Sequence, residues 1–162
     1  MSTNLGPTLP DPLVRLFAGD DLRSKIGLAA LLVTPSAADG YPHPAIVTPG
    51  EMVAGDAQTL RVALYENSTA SRNLRANGAG TLALAHGGAA YYVKFDAEPF
   101  PSEAPEFAGQ AVFTFRTKHV LKDAEEGAEV TSGFSFKDLA GDAALLGRWE
   151  PLVGALRRTF AP

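Results

Sequence analysis

A cluster of polar side chains stands where a strand-like segment gives way to a helix. The segment from Tyr65 to Asn73 reads YENSTASRN and combines hydroxyl, amide and guanidinium groups. The first N–H groups of a helix have no intrahelical acceptor and lie at the positive end of its dipole, so they suit a phosphate group. Four side chains could add to such a site: Ser68, Thr69, Ser71 and Arg72. Serine and threonine also cap helices, so the residues alone leave a phosphate site and a plain cap equally open.

Other residue types that could do chemistry give weaker patterns. The histidines His43, His86 and His119 are far apart and share no metal-ligand spacing, so no metal site is predicted. The chain has no cysteine and no GxSxG motif, which excludes a thiol nucleophile and a serine nucleophile elbow. Trp149 is interpreted as a core anchor. No general acid or base can be named, and the catalytic residues stay unknown.

Length and composition favour one domain of an ordinary soluble protein. The chain has 162 residues, of which 46% are hydrophobic and 20% charged. A net charge of -4 argues against nucleic-acid binding, which requires a basic face. The N-terminus lacks the features of a signal peptide, and no apolar run reaches the roughly 18 residues of a membrane helix. We therefore expect a cytoplasmic protein without membrane or nucleic-acid partners.

Hydrophobic periodicity predicts a chain made mainly of short strands. Residues 1–10 are expected to form a flexible N-terminus, and residues 11–162 a single domain. The pattern supports six to seven strands, drawn from the segments 26–34, 43–48, 51–54, 60–65, 81–85, 90–95, 112–121 and 129–136. Helices are predicted over residues 12–17 and 70–77, and two more over 138–160, separated near Pro151. This pattern indicates an α+β fold, mainly β, with an antiparallel barrel or sandwich, small flanking helices and a helical C-terminus.

The order of these features resembles the pyridoxamine 5′-phosphate oxidase-like family, the FMN-binding split barrels. The resemblance rests on patterns that follow one another along the chain: Asp39-Gly40-x-Pro42-His43, the strand Ala45–Thr48, the strand Leu60–Tyr65, Ser68-Thr69-x-Ser71-Arg72-Asn73-Leu74-Arg75-x-Asn77, the strand Thr81–Ala85, Ser132-Gly133-Phe134, and a helix carrying Trp149. It covers residues 13–160 in element order, and its most specific part is 65–77. The resemblance implies an antiparallel split β-barrel that pairs as a homodimer.

The resemblance also implies an FMN site at the dimer interface. Ser71 and Arg72 match the pair that holds the FMN phosphate at a helix start, with the hydroxyls of Ser68 and Thr69 in support. Asn73 belongs to the same motif but stands where the oxidases carry a cation, so one charged contact to the phosphate is missing.

The flavin ring would lie beside two strands. By the same resemblance Tyr65 would lie near the ribityl chain or the ring. The strand residues that would follow the edge of the isoalloxazine are Ile46, Val47 and Thr48.

Three classes of function remain open from the sequence. The first is an FMN-dependent oxidoreductase acting on an unidentified small molecule. The second is a non-catalytic binding or carrier protein for flavin, deazaflavin or haem, with His86 or His119 as a haem ligand. The third is a dimeric domain without a cofactor, in which the polar turn only caps a helix.

Overall fold

Eight strands form one curled antiparallel sheet in the computed structural model, which describes residues 1–162. The strands are β1 (Ser2–Asn4), β2 (Ala30–Pro35), β3 (Pro42–Val47), β4 (Met52–Ala54), β5 (Thr59–Tyr65), β6 (Ala79–His86), β7 (Ala89–Pro99) and β8 (Gln110–Asp123). The helices are α1 (Asp11–Leu16), α2 (Thr69–Asn77) and α3 (Asp142–Arg158), with 3₁₀ turns at Leu22–Lys25 and Pro105–Phe107. The strand order is β3-β2-β6-β7-β8-β5-β4, and β1 pairs with β8. This architecture confirms the predicted antiparallel split barrel with flanking helices and a helical C-terminus.

The inner face of the sheet holds the main core because its strands alternate buried and exposed side chains. Phe95 of β7 and Phe115 of β8 stack inside, with ring centroids 3.8 Å apart and planes inclined by 6°. A β-bulge between Lys94 and Phe95 shifts the pairing of β7 with β8. Such a bulge increases the local twist, which helps the sheet to curl around this core.

A second core joins α3 to the outer side of the sheet. Trp149 and Leu156 of α3 pack with Val53 of β4 and Ala63 of β5. The same packing fixes the connection between β3 and β4, because Trp149 lies directly over Gly50. Residues 48–51 are thereby held between the sheet and α3.

The C-terminal helix is continuous, and the predicted break at Pro151 is wrong. A proline inside a helix removes one N–H donor and usually kinks the helix. Here Trp149 and Val153, on either side of Pro151, are both buried against the sheet, which compensates for the lost hydrogen bond. The helix also begins later than predicted, at Asp142.

The segment 129–136 is not the strand that its composition predicts. It makes only two isolated bridges, Val130 with Gly88 and Ser135 with Leu28. A strand needs a free neighbouring edge, and the interior strands β6 and β7 already pair on both sides. The segment instead lies across one end of the barrel.

The first predicted strand starts later than expected, and the N-terminus contains a short strand. The strand predicted from residue 26 begins only at Ala30, because Gly27 turns the chain with a φ of +90°. Within residues 1–10, which are predicted to be flexible, Ser2–Asn4 pairs in register with Leu121–Asp123 of β8. The short polar strand has no buried side chain and so no periodic apolar signal. Its mobility, and the single-domain assignment, stay predictions.

Candidate functional site

The start of α2 is built by a network of hydroxyl groups. Ser68 is the N-cap, and its Oγ accepts a hydrogen bond from the Ser71 N–H at 3.1 Å. The Ser71 hydroxyl donates to the carbonyl of Tyr65 at 2.8 Å, which ties the helix to the end of β5. Ser71 is fully buried, so its side chain supports the turn and does not face solvent.

Arg72 is the exposed cation of this turn. Its Nη1 donates to the carbonyl of Asn67 at 2.6 Å and its Nη2 to Oγ1 of Thr69 at 3.0 Å. The guanidinium therefore folds back across the first turn of α2, and it forms no ion pair with a carboxylate. The amides of Thr69 and Ala70, next to it, have no acceptor within the helix. Together these groups leave positive charge at the start of α2.

Asn73 does not face the start of α2, where the motif would place a contact to the phosphate. Its side chain is buried, with Nδ2 donating to Oγ1 of Thr34 at 3.0 Å and Oδ1 accepting from the Ala37 N–H at 3.0 Å. Both hydrogen-bonding ends of the amide are thus used by the β2–β3 region. An uncharged residue fits this buried position, because a lysine there would leave an unpaired charge in the core.

The predicted ring-binding residues are split between two sides of the barrel wall. Ile46 lies on the outer side of edge strand β3 and is 54% exposed, whereas Val47 is 1% exposed and points into the core. The side chain of Val47 is therefore not available on the outer side of β3. Thr48 follows β3, and Tyr65, which ends β5, is 72% exposed.

Thr48 and Tyr65 line a common cavity of about 310 Å³, which we call the Tyr65 groove. Its other walls come from α3 and the segments around it, and its lining residues are Thr48, Glu51, Tyr65, Glu106, Gln110, Phe136, Leu145, Arg148, Trp149, Pro151 and Leu152. The structure thus brings together two predicted residues from separate strands. Ser68, Thr69, Arg72 and Asn73 do not line the groove.

Glu51 is the residue of the groove that sequence reasoning missed. Its Oε2 accepts two hydrogen bonds from Thr48, from the N–H at 2.7 Å and from Oγ1 at 2.8 Å. Burial raises the pKa of the Glu51 carboxyl above its usual range, and the two hydrogen bonds from Thr48 only partly oppose this. A glutamate three residues after a threonine in a Pro-Gly turn is the signal that could have indicated it.

Thr48 also lines a second cavity, together with Pro49. It has a volume of about 330 Å³, and we call it the His86 cavity. Thr48 and Val47 form part of its wall, Leu84 and His86 of β6 another part, and Phe134 of the segment 129–136 a third. His86 is therefore the histidine that lines a cavity, while His119 is exposed on β8.

A metal centre and a membrane-spanning helix are both absent from the structure. No three histidine or acidic side chains lie close enough together to hold a metal ion. None of the helices combines the length and the apolar character required to span a membrane.

Comparisons with known proteins identify relatives across most of the chain. No family model matches. The uncharacterized protein YclD of Bacillus subtilis (strain 168) is 32% identical over 150 residues, which is 93% of this chain and 96% of YclD. The structure of a proposed pyridoxamine 5′-phosphate oxidase from Lactobacillus delbrueckii matches with a TM-score of 0.55 and 22% identity, covering 72% of this chain and 97% of that one.

A haem-binding protein of Mycobacterium smegmatis shares the same fold. It matches with a TM-score of 0.51 and 13% identity, over 90% of this chain and 61% of that one. At this level of identity the likeness concerns the fold alone. The relationship to YclD shows the family: the chain belongs to the family of YclD, and it has the split-barrel fold of the pyridoxamine 5′-phosphate oxidase-like structures.

Proposed function

We propose that the chain is an FMN-binding protein of the oxidoreductase type, with the flavin phosphate at the start of α2. The observation that carries this proposal is the position of Arg72. Its guanidinium is exposed, has no carboxylate partner and lies beside the first amides of the helix. A phosphate group would replace the carbonyl of Asn67 as acceptor and gain charge-assisted hydrogen bonds.

The other motif residues would support the phosphate indirectly. Thr69 offers its Oγ1, which now accepts from Arg72. Ser68 and Ser71 would hold the turn through their mutual hydrogen bonds, and Asn73 would hold α2 against β2. In this proposal the site has one cation where the oxidases of the family have two.

The flavin ring would lie along the outer side of β3, between Ile46 and Tyr65. Thr48 would reach it from the end of β3, and Val47 only through its backbone. The isoalloxazine supplies the redox chemistry, while the chain binds and orients it. The molecule that it would oxidise or reduce is not identified by these residues.

A second copy of the chain would complete the site. The outer side of edge strand β3 exposes Pro42, Pro44 and Ile46, and Tyr41 precedes it with 74% exposure. Exposed apolar groups next to an unpaired strand edge are typical of an interface. We therefore propose a homodimer in which this side of β3 covers the flavin ring.

The phosphate assignment is tested by the affinity for FMN of wild type and Arg72→Ala. Because a hydrogen bond to a charged group contributes about 1.5–3 kcal/mol, the substitution should weaken binding by roughly 10- to 100-fold. The matched control is Arg75→Ala, since Arg75 is exposed one turn later and bonds Glu66 instead. Equal affinities of wild type and Arg72→Ala in equilibrium dialysis would refute the assignment.

Haem is the second candidate ligand, because His86 lines a cavity with several apolar walls. An axial histidine beside an apolar surface is the arrangement that haem requires. Haemin titration should then give a sharp Soret band that His86→Ala abolishes and His119→Ala leaves intact. A band that survives His86→Ala, or one that never forms, would exclude His86 as a haem ligand.

A further inference from the structure

Glu51 places a carboxyl group in the Tyr65 groove without a cation to balance it. Of the charged residues that face the groove, Arg148 is paired with Asp138 and Glu106 with Arg158. Tyr65 is the remaining titratable group of the lining. The hydrogen bonds that Glu51 accepts come from the uncharged Thr48.

The two oxygens of Glu51 differ in their surroundings. Oε2 accepts both hydrogen bonds from Thr48, whereas Oε1 has no partner. The buried side-chain atoms without a partner are Arg61 Nε and Thr117 Oγ1, so Oε1 of Glu51 is not sealed from solvent. Because Glu51 lines the groove, this free acceptor is open to a ligand there.

The walls around this acceptor favour a flat ligand. Among the lining residues, Tyr65 provides an exposed aromatic ring, and Pro151 and Leu152 of α3 provide apolar surface. The free oxygen Oε1 can accept one charge-assisted hydrogen bond from the N–H of a cation. Aromatic and apolar walls favour a delocalised, weakly hydrated cation over a compact ammonium.

We propose that the Tyr65 groove binds a planar organic cation, of the guanidinium or amidinium class, with the Glu51 carboxylate as its acceptor. This proposal goes beyond flavin binding and is tested in flavin-free protein. The groove includes Thr48 and Tyr65, which are also proposed to lie beside the flavin ring, but Arg72 lies outside it. The ligand proposed for the groove is a cation, whereas the group proposed at the start of α2 is a phosphate anion.

The test uses phenylguanidinium as the probe and neutral phenylurea, which has nearly the same shape, as its control. Trp149 is the only tryptophan and lines the groove, so its indole N–H signal in a ¹⁵N NMR spectrum reports binding there. In flavin-free wild type, phenylguanidinium should shift this signal saturably. Glu51→Gln should weaken the probe by about tenfold or more, and phenylurea should bind both proteins equally weakly.

Two outcomes would overturn the proposal: no saturable shift in wild type, or equal affinity of phenylguanidinium for wild type and Glu51→Gln. Far-ultraviolet circular dichroism checks that the variant is folded. If the variant is not folded, the test is the pH dependence of phenylguanidinium binding to wild type. The affinity must weaken as the pH falls, because Glu51 then takes up a proton. Arg72→Ala should leave the affinity for phenylguanidinium unchanged, which separates a failure here from a failure of the flavin proposal.

Discussion

Glu51 carries its charge in surroundings that disfavour it. Its carboxyl is largely buried between the β3–β4 connection and α3, and Thr48 alone hydrogen bonds it. Burial raises its pKa in the folded protein, while in the unfolded chain the pKa returns to about 4.3. The folded state therefore binds the proton more tightly than the unfolded state does.

The pH dependence of stability follows from this difference. In the pH range between the two pKa values the folded state holds more protons, so this group makes the protein less stable as the pH rises. Glu51→Gln removes the effect. Urea titrations from about pH 4 to about pH 8 measure the free energy of unfolding of both proteins. The difference between the variant and wild type should shift in favour of the variant as the pH increases. Parallel stability curves for the two proteins would mean that Glu51 has an ordinary pKa.

Ser71 and Asn73 show why the sequence predicts where a residue lies in a helix more easily than what its side chain does. The motif places both at the start of a helix, as the structure has them. Asn73 is buried through hydrogen bonds with Thr34 and Ala37, which are distant in sequence, so the local pattern could not reveal its role. Glu51 was missed for the same reason, since the wall that α3 provides is a tertiary feature.

At the scale of elements, the connection between β3 and β4 is shaped by one close contact. A Cβ atom on Gly50 would lie 2.2 Å from the indole ring of Trp149, far closer than a normal contact. Packing therefore requires a glycine at position 50. Because Gly50 has no side chain, α3 can approach Thr48 and Glu51.

Gly50→Ala should therefore destabilise the protein by about 1–3 kcal/mol, the usual cost of overpacking a filled site. The matched control is Gly147→Ala in α3, where a Cβ would meet nothing within 4 Å. That control should gain about 0.5–1 kcal/mol, because alanine favours a helix over glycine. Urea denaturation compares the two, and a Gly50→Ala variant as stable as wild type would show that Trp149 does not fix this turn.

Element boundaries followed the sequence wherever local signals dominate. The cap at Ser68 and the left-handed Gly78, with a φ of +61°, bound α2 close to the predicted helix. The segment 129–136 and the helix through Pro151 did not follow local signals. In the first case no strand edge was free, and in the second buried neighbours outweighed the lost hydrogen bond.

At the scale of the whole molecule, β3 and β4 are the two end strands of the sheet order and do not pair with each other. Strand β3 is therefore a sheet edge, and it exposes apolar side chains on its outer side. The order of turns and apolar runs predicted an antiparallel barrel or sandwich, and the family resemblance implied the split barrel. The N-terminal strand β1 could not be predicted, because its exposed polar residues pair through backbone alone.

The proposed homodimer is tested by Ile46→Glu. A charge on this exposed apolar position would be buried without a partner in the interface, so the dimer should dissociate at least tenfold more readily. Leu139→Glu is the control, because Leu139 is 96% exposed on the turn before α3 and does not belong to β3. Analytical ultracentrifugation measures both. A wild type that is monomeric, or an Ile46→Glu variant that dimerises as tightly as wild type, would contradict the interface.

The most direct test of flavin binding is the visible spectrum of the protein after incubation with FMN and gel filtration. If FMN binds at the start of α2 and is covered by a second copy, the flavin absorption should elute with the protein at the dimer position, in a ratio of one flavin per chain. Arg75→Ala should retain it, and Arg72→Ala should lose most of it. Wild-type protein that elutes colourless, with all of the FMN in the small-molecule fraction, would contradict the account.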